Sequence, residues 1–257
     1  MDCVSEEGDV FIAYAASLRW KGLKINYSST LRRQHDAQTE ASTSLKRFSA
    51  PEVSGDSIHW SSQALGVEAK WTALAQPIER TIFESDAGLV EWRCLHPKAT
   101  AEVSTRDRRQ LKGLGYVEHL TMSIPVWRLP IDELRWGRFL SDEDALVWID
   151  WRGASNVKLA FLNGIQIENA EVTEHEVVLE QEKVILALDE QQVLREGPLI
   201  KTALSMIPGI QNLIPLRSLS AHECKWRSRG ILSHHESLSV GWTIHEIVRW
   251  PSTGARR

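Results

Sequence analysis

A carboxylic acid, Glu118, and a phenol, Tyr116, stand two residues apart in a segment that alternates like a β-strand. Strand alternation places both side chains on one face. The other residues of that face are apolar: Leu114, Leu120 and Met122. An acid on an apolar face is costly to ionise unless it is paired, and a protonated acid can deliver its proton to an alkene or an enol. Glu118 is therefore the candidate general acid, with Tyr116 beside it.

Tryptophans crowd the residues that follow this acid. The chain has 11 Trp against 3 Tyr and 5 Phe. Trp rings offer flat apolar surfaces with one N–H donor, which suits a pocket for an unsaturated ligand. The predicted substrate-binding residues are aromatic, basic or capable of hydrogen bonding: Tyr14, Trp71, His119, Trp127, Trp136, Arg138 and Trp148. In the alternative interpretation the Trp rings fill a barrel core and Glu118 pairs with Arg135 or Arg138.

Asp150 is the second acid of interest, and it is a candidate catalytic or orienting residue. It shares a strand face with Trp148. The structural alternative is a strand-end residue that pairs with Arg152 or with a loop amide. Arg138 shares a face with Trp136, where a guanidinium group over a ring either binds an anionic ligand group or forms a structural ion pair.

Composition and charge narrow the class of protein. The 257 residues are 42% hydrophobic and 25% charged, as is ordinary for a globular protein. A net charge of -4 provides no basic field for nucleic acid. Cys3, Cys94 and Cys224 match no zinc or redox spacing, which favours a reduced, cytoplasmic protein. The acidic first residues predict no secretory signal, and no apolar run approaches the ~20 residues of a transmembrane segment.

No metal and no cofactor are predicted. His222 and Cys224 share a strand face, but no third metal ligand is set by the spacing. The chain has no Gly-rich phosphate loop, no nucleophile elbow and no metalloprotease helix motif. The expected partner is a small apolar molecule, a polyene or isoprenoid, because the Trp residues suit a pocket for an unsaturated ligand.

Most segments read as short antiparallel strands, so the predicted fold is all-β with up-and-down barrels. Val10–Trp20 with Leu23–Leu31, and Leu134–Leu140 with Ala145–Trp151, read as hairpins. The Pro-rich passage Ile124–Ile131 argues against a central strand and predicts a crossover. We expect two barrel halves, 1–128 and 129–257. A loop is predicted over 34–51 and a short helix within 191–204.

The run Gly113-Leu-Gly-Tyr-Val-Glu-His119 resembles the Gly-x-Gly-Tyr-x-(Asp/Glu) run of the carotenoid 1,2-hydratase and tocopherol cyclase group. The stretch Leu89–Pro97 lies upstream, and Leu134–Arg138 and Leu146–Asp150 lie downstream, in the order of such a domain. The resemblance covers roughly residues 8–152 and implies two lipocalin-like (calycin) β-barrels. It also implies that Glu118 donates a proton to an isoprenoid double bond. The chain departs from the group after Glu118, where His119-Leu120-Thr121 replaces Asn-Trp-Gly.

Three functions remain open at this point. The first is a cofactor-independent cyclase or hydratase of a polyene or isoprenoid, with Glu118 as general acid, Tyr116 and Tyr14 as orienting groups, and Trp faces that stabilise positive charge. The second is a pericyclase of the Diels–Alderase kind, which the wider group includes, with Glu118 as a hydrogen-bonding group. The third is a carrier of an apolar ligand. Fold alone does not decide among them.

Overall fold

The computed structural model describes residues 1–20, 22–34, 37–199 and 221–251. Within these ranges the fold is all-β, with two antiparallel sheets and one 3-10 turn at Val126–Arg128. The predicted fold class is confirmed. No helix among the described residues is long and apolar enough to cross a bilayer.

The first sheet contains ten strands in the order β4-β3-β2-β1-β10-β9-β7-β6-β5, with β8 paired to β9. Their bounds are β1 Asp2–Val4, β2 Val10–Trp20, β3 Leu23–Arg33, β4 Glu40–Ser44, β5 Glu52–Ser54, β6 Ser57–Ser62, β7 Val67–Ala73, β8 Ile78–Ser85, β9 Gly88–Thr105 and β10 Gln110–Met122. The short strand β1 lies between β2 and β10, so the start of the described chain is part of the sheet.

The second sheet contains nine strands in the order β14-β13-β12-β11-β19-β18-β17-β16-β15. Their bounds are β11 Ile131–Leu140, β12 Ala145–Gly153, β13 Val157–Leu162, β14 Ile165–Ile167, β15 Ala170–Val172, β16 Glu176–Leu179, β17 Val184–Pro198, β18 His222–His234 and β19 Ser237–Arg249. The crossover expected at the Pro-rich passage lies between β10 and β11, where the chain leaves one sheet for the other.

Two compact units are present, and each has its own core. The first comprises Met1–Ile78 and Arg93–His119, and the second comprises Glu79–Trp92 and Leu120–Arg257. The segment Glu79–Trp92 is hydrogen-bonded into the first sheet but packs with the second unit. An aromatic contact accounts for this packing: the Phe83 ring stacks on the Trp151 ring, with centroids 5.9 Å apart.

Strand alternation builds the core of the first unit. In β7, Val67, Ala69 and Trp71 are buried while Glu68 and Lys70 are exposed, as the alternating pattern predicts. Trp71 packs in a cluster that also draws residues from β1, β2, β6, β9 and β10: Cys3, Phe11, Ala13, Ile58, Trp60, Ala99, Ala101, Val103 and Val117.

The core of the second unit is enclosed in the same way. Phe139, Leu146 and Trp148 share one face of β11 and β12, and they pack against residues of β13 to β18. A cluster that draws on nearly every strand of one sheet indicates that the sheet wraps around it. One of the two sheets is barrel-like.

Two local predictions are wrong. The expected loop over 34–51 contains β4, whose polar residues pair with β3; Ser29 and Thr43 hydroxyls lie 2.8 Å apart across the pair. The expected helix within 191–204 is a strand as far as Pro198, because the long β17 follows β18 through two register shifts. Residues 200–204 lie outside the described residues.

Candidate functional site

Gly113 and Gly115 let strand β1 approach β10 closely. A Cβ on Gly115 would lie 2.5 Å from the Asp2 carbonyl oxygen, and one on Gly113 would lie 2.0 Å from the Val4 carbonyl oxygen. Both distances are far below van der Waals contact, so only glycine fits at either position. The close approach pairs Asp2 directly with Tyr116.

The alternation of β10 separates the predicted acid from the barrel core. Val117 belongs to the core cluster that contains Trp71. Tyr116 and Glu118 therefore point to the opposite face of the sheet. Trp71 lies on the core side, where its Nε1 donates to the Asp2 carbonyl oxygen at 2.6 Å. Trp71 and Glu118 thus do not share one surface.

A hydrogen-bonded group surrounds Glu118 on its own face. The Tyr116 hydroxyl donates to Glu118 Oε2 at 2.9 Å. The Cys94 thiol lies within hydrogen-bonding range of the Tyr116 hydroxyl. Tyr116 and Cys94 are both fully buried, and Asp2, also buried, is the cross-strand neighbour of Tyr116. We call these four residues the Glu118 cluster.

Burial keeps the thiol and the phenol of the Glu118 cluster protonated. Desolvation raises the pKa of Cys94 well above its usual range, and the negative charges of Glu118 and Asp2 raise it further. Desolvation also raises the pKa of Tyr116 well above its usual range, with a further contribution from Glu118. Both groups therefore keep their protons at neutral pH, and the Tyr116 hydroxyl donates its proton to Glu118 in a hydrogen bond.

His96 stands on the same face of β9 as Cys94, two residues along the strand. It is buried, and its Nδ1 lies 2.7 Å from the Leu95 carbonyl oxygen. A carbonyl oxygen only accepts, so Nδ1 carries the proton and the Nε2 of the neutral ring is an acceptor. Nε2 is buried and has no hydrogen-bond partner among the described residues. An imidazole nitrogen with acceptor capacity therefore lies on the strand face that carries Cys94.

The apolar face predicted around Glu118 is only partly present. Leu120 and Met122 are 48% and 45% exposed, so they do not desolvate the acid as expected. His119, a predicted substrate-binding residue, is exposed on the opposite strand face. Tyr14 lies on the same sheet face as Glu118, because Ile12 pairs with Asp2 and Tyr14 follows two residues later.

The predicted residues of the second unit divide between two faces of their sheet. Trp148 belongs to the core cluster, and strand alternation places Asp150 on the same face. Gly137 pairs with Trp148 across β11 and β12, and its lack of a side chain leaves room for the Trp148 ring. Trp136 and Arg138 lie on the other face. These rings therefore do not line one common surface.

Ion pairing accounts for Asp150. Its Oδ2 lies 2.5 Å from Arg152 Nη2, and the carboxyl group is 1% exposed. Arg152 also approaches Glu133 at 3.1 Å, and Glu133 accepts from Arg135 at 2.6 Å. The structural alternative for Asp150 is therefore present in the second unit.

The remaining predicted residues have varied surroundings. Arg138 is fully buried and its Nη1 donates to the Trp242 carbonyl oxygen at 2.8 Å. Lys225 lies over the Trp136 ring, 5.3 Å from its centroid. Trp127 is half-buried in the 3-10 turn. The described part of the chain holds no group of three or more His, Cys, Asp or Glu residues suited to a metal ion.

Three members of the site were not predicted from the sequence. Asp2 reaches Tyr116 only through the pairing of β1 with β10. Cys94 and His96 belong to β9, which lies next to β10 in the sheet. The sequence offered one indication of Cys94 and His96: they are two residues apart in a predicted strand, so strand alternation places the thiol and the imidazole on one face.

A scan of protein families finds no match to this chain. A search of curated proteins finds none either. Solved structures do match. CghA superposes with a TM-score of 0.59 at 10% identity, over 96% of this chain and 86% of that one. The fold is that of the lipocalin-like double barrels.

Two further structures share this fold. Kievitone hydratase from Nectria haematococca matches with a TM-score of 0.57 at 10% identity, over 96% of this chain and 86% of that one. A putative AttH from Nitrosomonas europaea matches with a TM-score of 0.52 at 8% identity, over 96% of this chain and 89% of that one. At these identities the likeness concerns the fold.

Proposed function

We propose that this protein is a cofactor-independent hydratase or cyclase that protonates a carbon–carbon double bond of an isoprenoid or polyene. Glu118 is the general acid. The observation that carries the proposal is the buried Tyr116 hydroxyl, which donates to Glu118 and lies within hydrogen-bonding range of the Cys94 thiol. Among the similar folds, one bears the name of a hydratase.

The hydrogen bond from Tyr116 favours proton release from Glu118. When Glu118 gives its proton to the alkene, the carboxylate that remains accepts a hydrogen bond from the Tyr116 hydroxyl. Donors already in place stabilise the new charge without reorganisation. The proton forms a C–H bond at one alkene carbon, and the other carbon becomes a cation.

His96 favours hydration over cyclisation. Attack of water on the cation releases a proton, and in this proposal the Nε2 acceptor of His96 receives it. The proton then returns to Glu118 through solvent, so the reaction consumes one water and leaves the protein unchanged. In cyclisation an internal nucleophile of the substrate takes the place of water.

The test is a panel of prenylated phenols and open-chain polyenes, analysed by mass spectrometry. Hydration adds the mass of one water, whereas cyclisation gives an isomer. Glu118→Gln keeps the shape of the side chain but removes the proton, and should lower turnover by about 10²–10⁴-fold. Glu102→Gln is the matched control, because Glu102 is exposed and pairs with Lys112 on the surface.

Two outcomes contradict the proposal. Turnover of Glu118→Gln at the rate of wild type rejects proton donation and favours a pericyclase, in which an amide still donates a hydrogen bond. Saturable binding of panel members without any conversion indicates a carrier. For the hydration step, His96→Gln should lower water addition, because the amide oxygen accepts a hydrogen bond but is not a base.

A further inference from the structure

A cavity of about 270 Å³ opens at one end of the first unit. Its walls come from the start of β2, the end of β3, the end of β9 and the start of β10. Phe11 and Val103 of the core cluster and the partly buried Leu111 form an apolar floor. This cavity involves no residue of the Glu118 cluster, and we call it the Arg32 cavity.

Arg32 faces this apolar floor. It pairs with Phe11 across β2 and β3, and with Glu40 across β3 and β4, so the three side chains lie on one face. That face carries the core, since Phe11 belongs to the core cluster. A guanidinium group on the core-facing side of a sheet, at the end of its strands, offers a planar pair of donors beside apolar side chains.

The acids that meet Arg32 are weakly held. Glu40 lies 3.0 Å from Arg32 Nη2 but its side chain is 69% exposed. Asp107 lies 3.8 Å from Arg32 Nη1, 42% exposed, and also pairs with Arg109 at 3.1 Å. Exposed ion pairs contribute little to stability, so an incoming carboxylate can take their place on the guanidinium group.

We propose that the Arg32 cavity binds a small amphipathic carboxylate, with the acid on Arg32 and its chain on Phe11, Val103 and Leu111. A cavity of about 270 Å³ suits a short alkyl chain rather than a long one, and octanoate is the reference ligand. Affinity should rise about threefold to fourfold per methylene up to this length and then level off.

The experiment is isothermal titration of the full chain with straight-chain acids and with octan-1-ol, the neutral counterpart of octanoate. Wild type should bind octanoate about tenfold more tightly than octan-1-ol, because a charge-assisted hydrogen bond is lost in the alcohol. Arg32→Gln should remove this difference. Arg19→Gln, an exposed arginine elsewhere on β2, should leave it unchanged.

A second variant tests the floor. Leu111→Trp narrows the cavity and should weaken octanoate and octan-1-ol alike, with circular dichroism to verify the fold. Glu118→Gln should bind octanoate as wild type does, since the two sites share no residue. The proposal is overturned if wild type shows no saturable octanoate binding, if Arg32→Gln keeps the preference for the acid, or if Glu118→Gln abolishes binding.

Discussion

His245 should make the protein less stable in mild acid. The side chain faces the core of the second unit, where its ring stacks on Trp226 and its Nε2 lies 2.7 Å from the Ser228 hydroxyl. Burial lowers the pKa of His245 from 6.5 to about 3, with smaller contributions from the charges of Lys225 and His175. The folded protein therefore holds this ring neutral over a range in which the unfolded chain protonates it.

The sign and size follow from proton binding. Between about pH 6.5 and about pH 3 the unfolded state binds more protons, so the free energy of unfolding falls as the pH falls. A solution at about pH 5 lies roughly 1.5 pH units below the pKa of this side chain in the unfolded state. At ~1.36 kcal/mol per unit, the free energy of unfolding is therefore lower by about 2 kcal/mol at about pH 5 than at about pH 8.

Urea unfolding at both pH values, followed by tryptophan fluorescence, measures this loss. Other groups titrate in the same range, so the wild type is compared with His245→Gln, in which the pH-dependent loss should be smaller by about 2 kcal/mol. His59→Gln, at an exposed position, is the control. Equal pH dependence in wild type and His245→Gln would refute the reasoning.

Two further changes test the packing of each unit. Gly115→Ala places a Cβ 2.5 Å from the Asp2 carbonyl oxygen and 2.8 Å from Trp71 Cδ1, so it should lower the melting temperature clearly; an unchanged melting curve would contradict the close approach of β1. Arg195→Gln removes the guanidinium group 2.5 Å from the Glu223 carboxylate, which is 1% exposed, and should cost about 3–5 kcal/mol in urea unfolding. Adding Glu223→Gln to Arg195→Gln removes the buried carboxylate that lost its partner, so the double variant should recover part of the lost stability. A double variant no more stable than Arg195→Gln alone would show that this carboxylate does not cause the loss.

The sequence predicts the fold better than the site, because alternation is a local property. The hairpin of Val10–Trp20 with the following strand and the crossover near Val126–Arg128 follow from apolar periodicity and from proline. Strand β4 was not predicted because it has few apolar residues of its own and forms by pairing with β3.

The site depends on contacts that span the chain. Asp2 and Tyr116 are neighbours across a sheet although they are 114 positions apart in the sequence. The sequence did place Tyr116 and Glu118 on one face, and their hydrogen bond confirms that placement. It did not indicate that Trp71 lies on the other face, because the orientation of β7 depends on its pairing with β9.

The central claim is that Glu118 delivers a proton to carbon, and reaction in deuterium oxide tests it most directly. Once a member of the prenyl or polyene panel is converted, wild type in this solvent should place one deuterium on the carbon next to the new bond. Glu118→Gln should form that product about 10²–10⁴-fold more slowly, while Glu102→Gln matches wild type. Product without carbon-bound deuterium, formed equally fast by Glu118→Gln, would contradict the account.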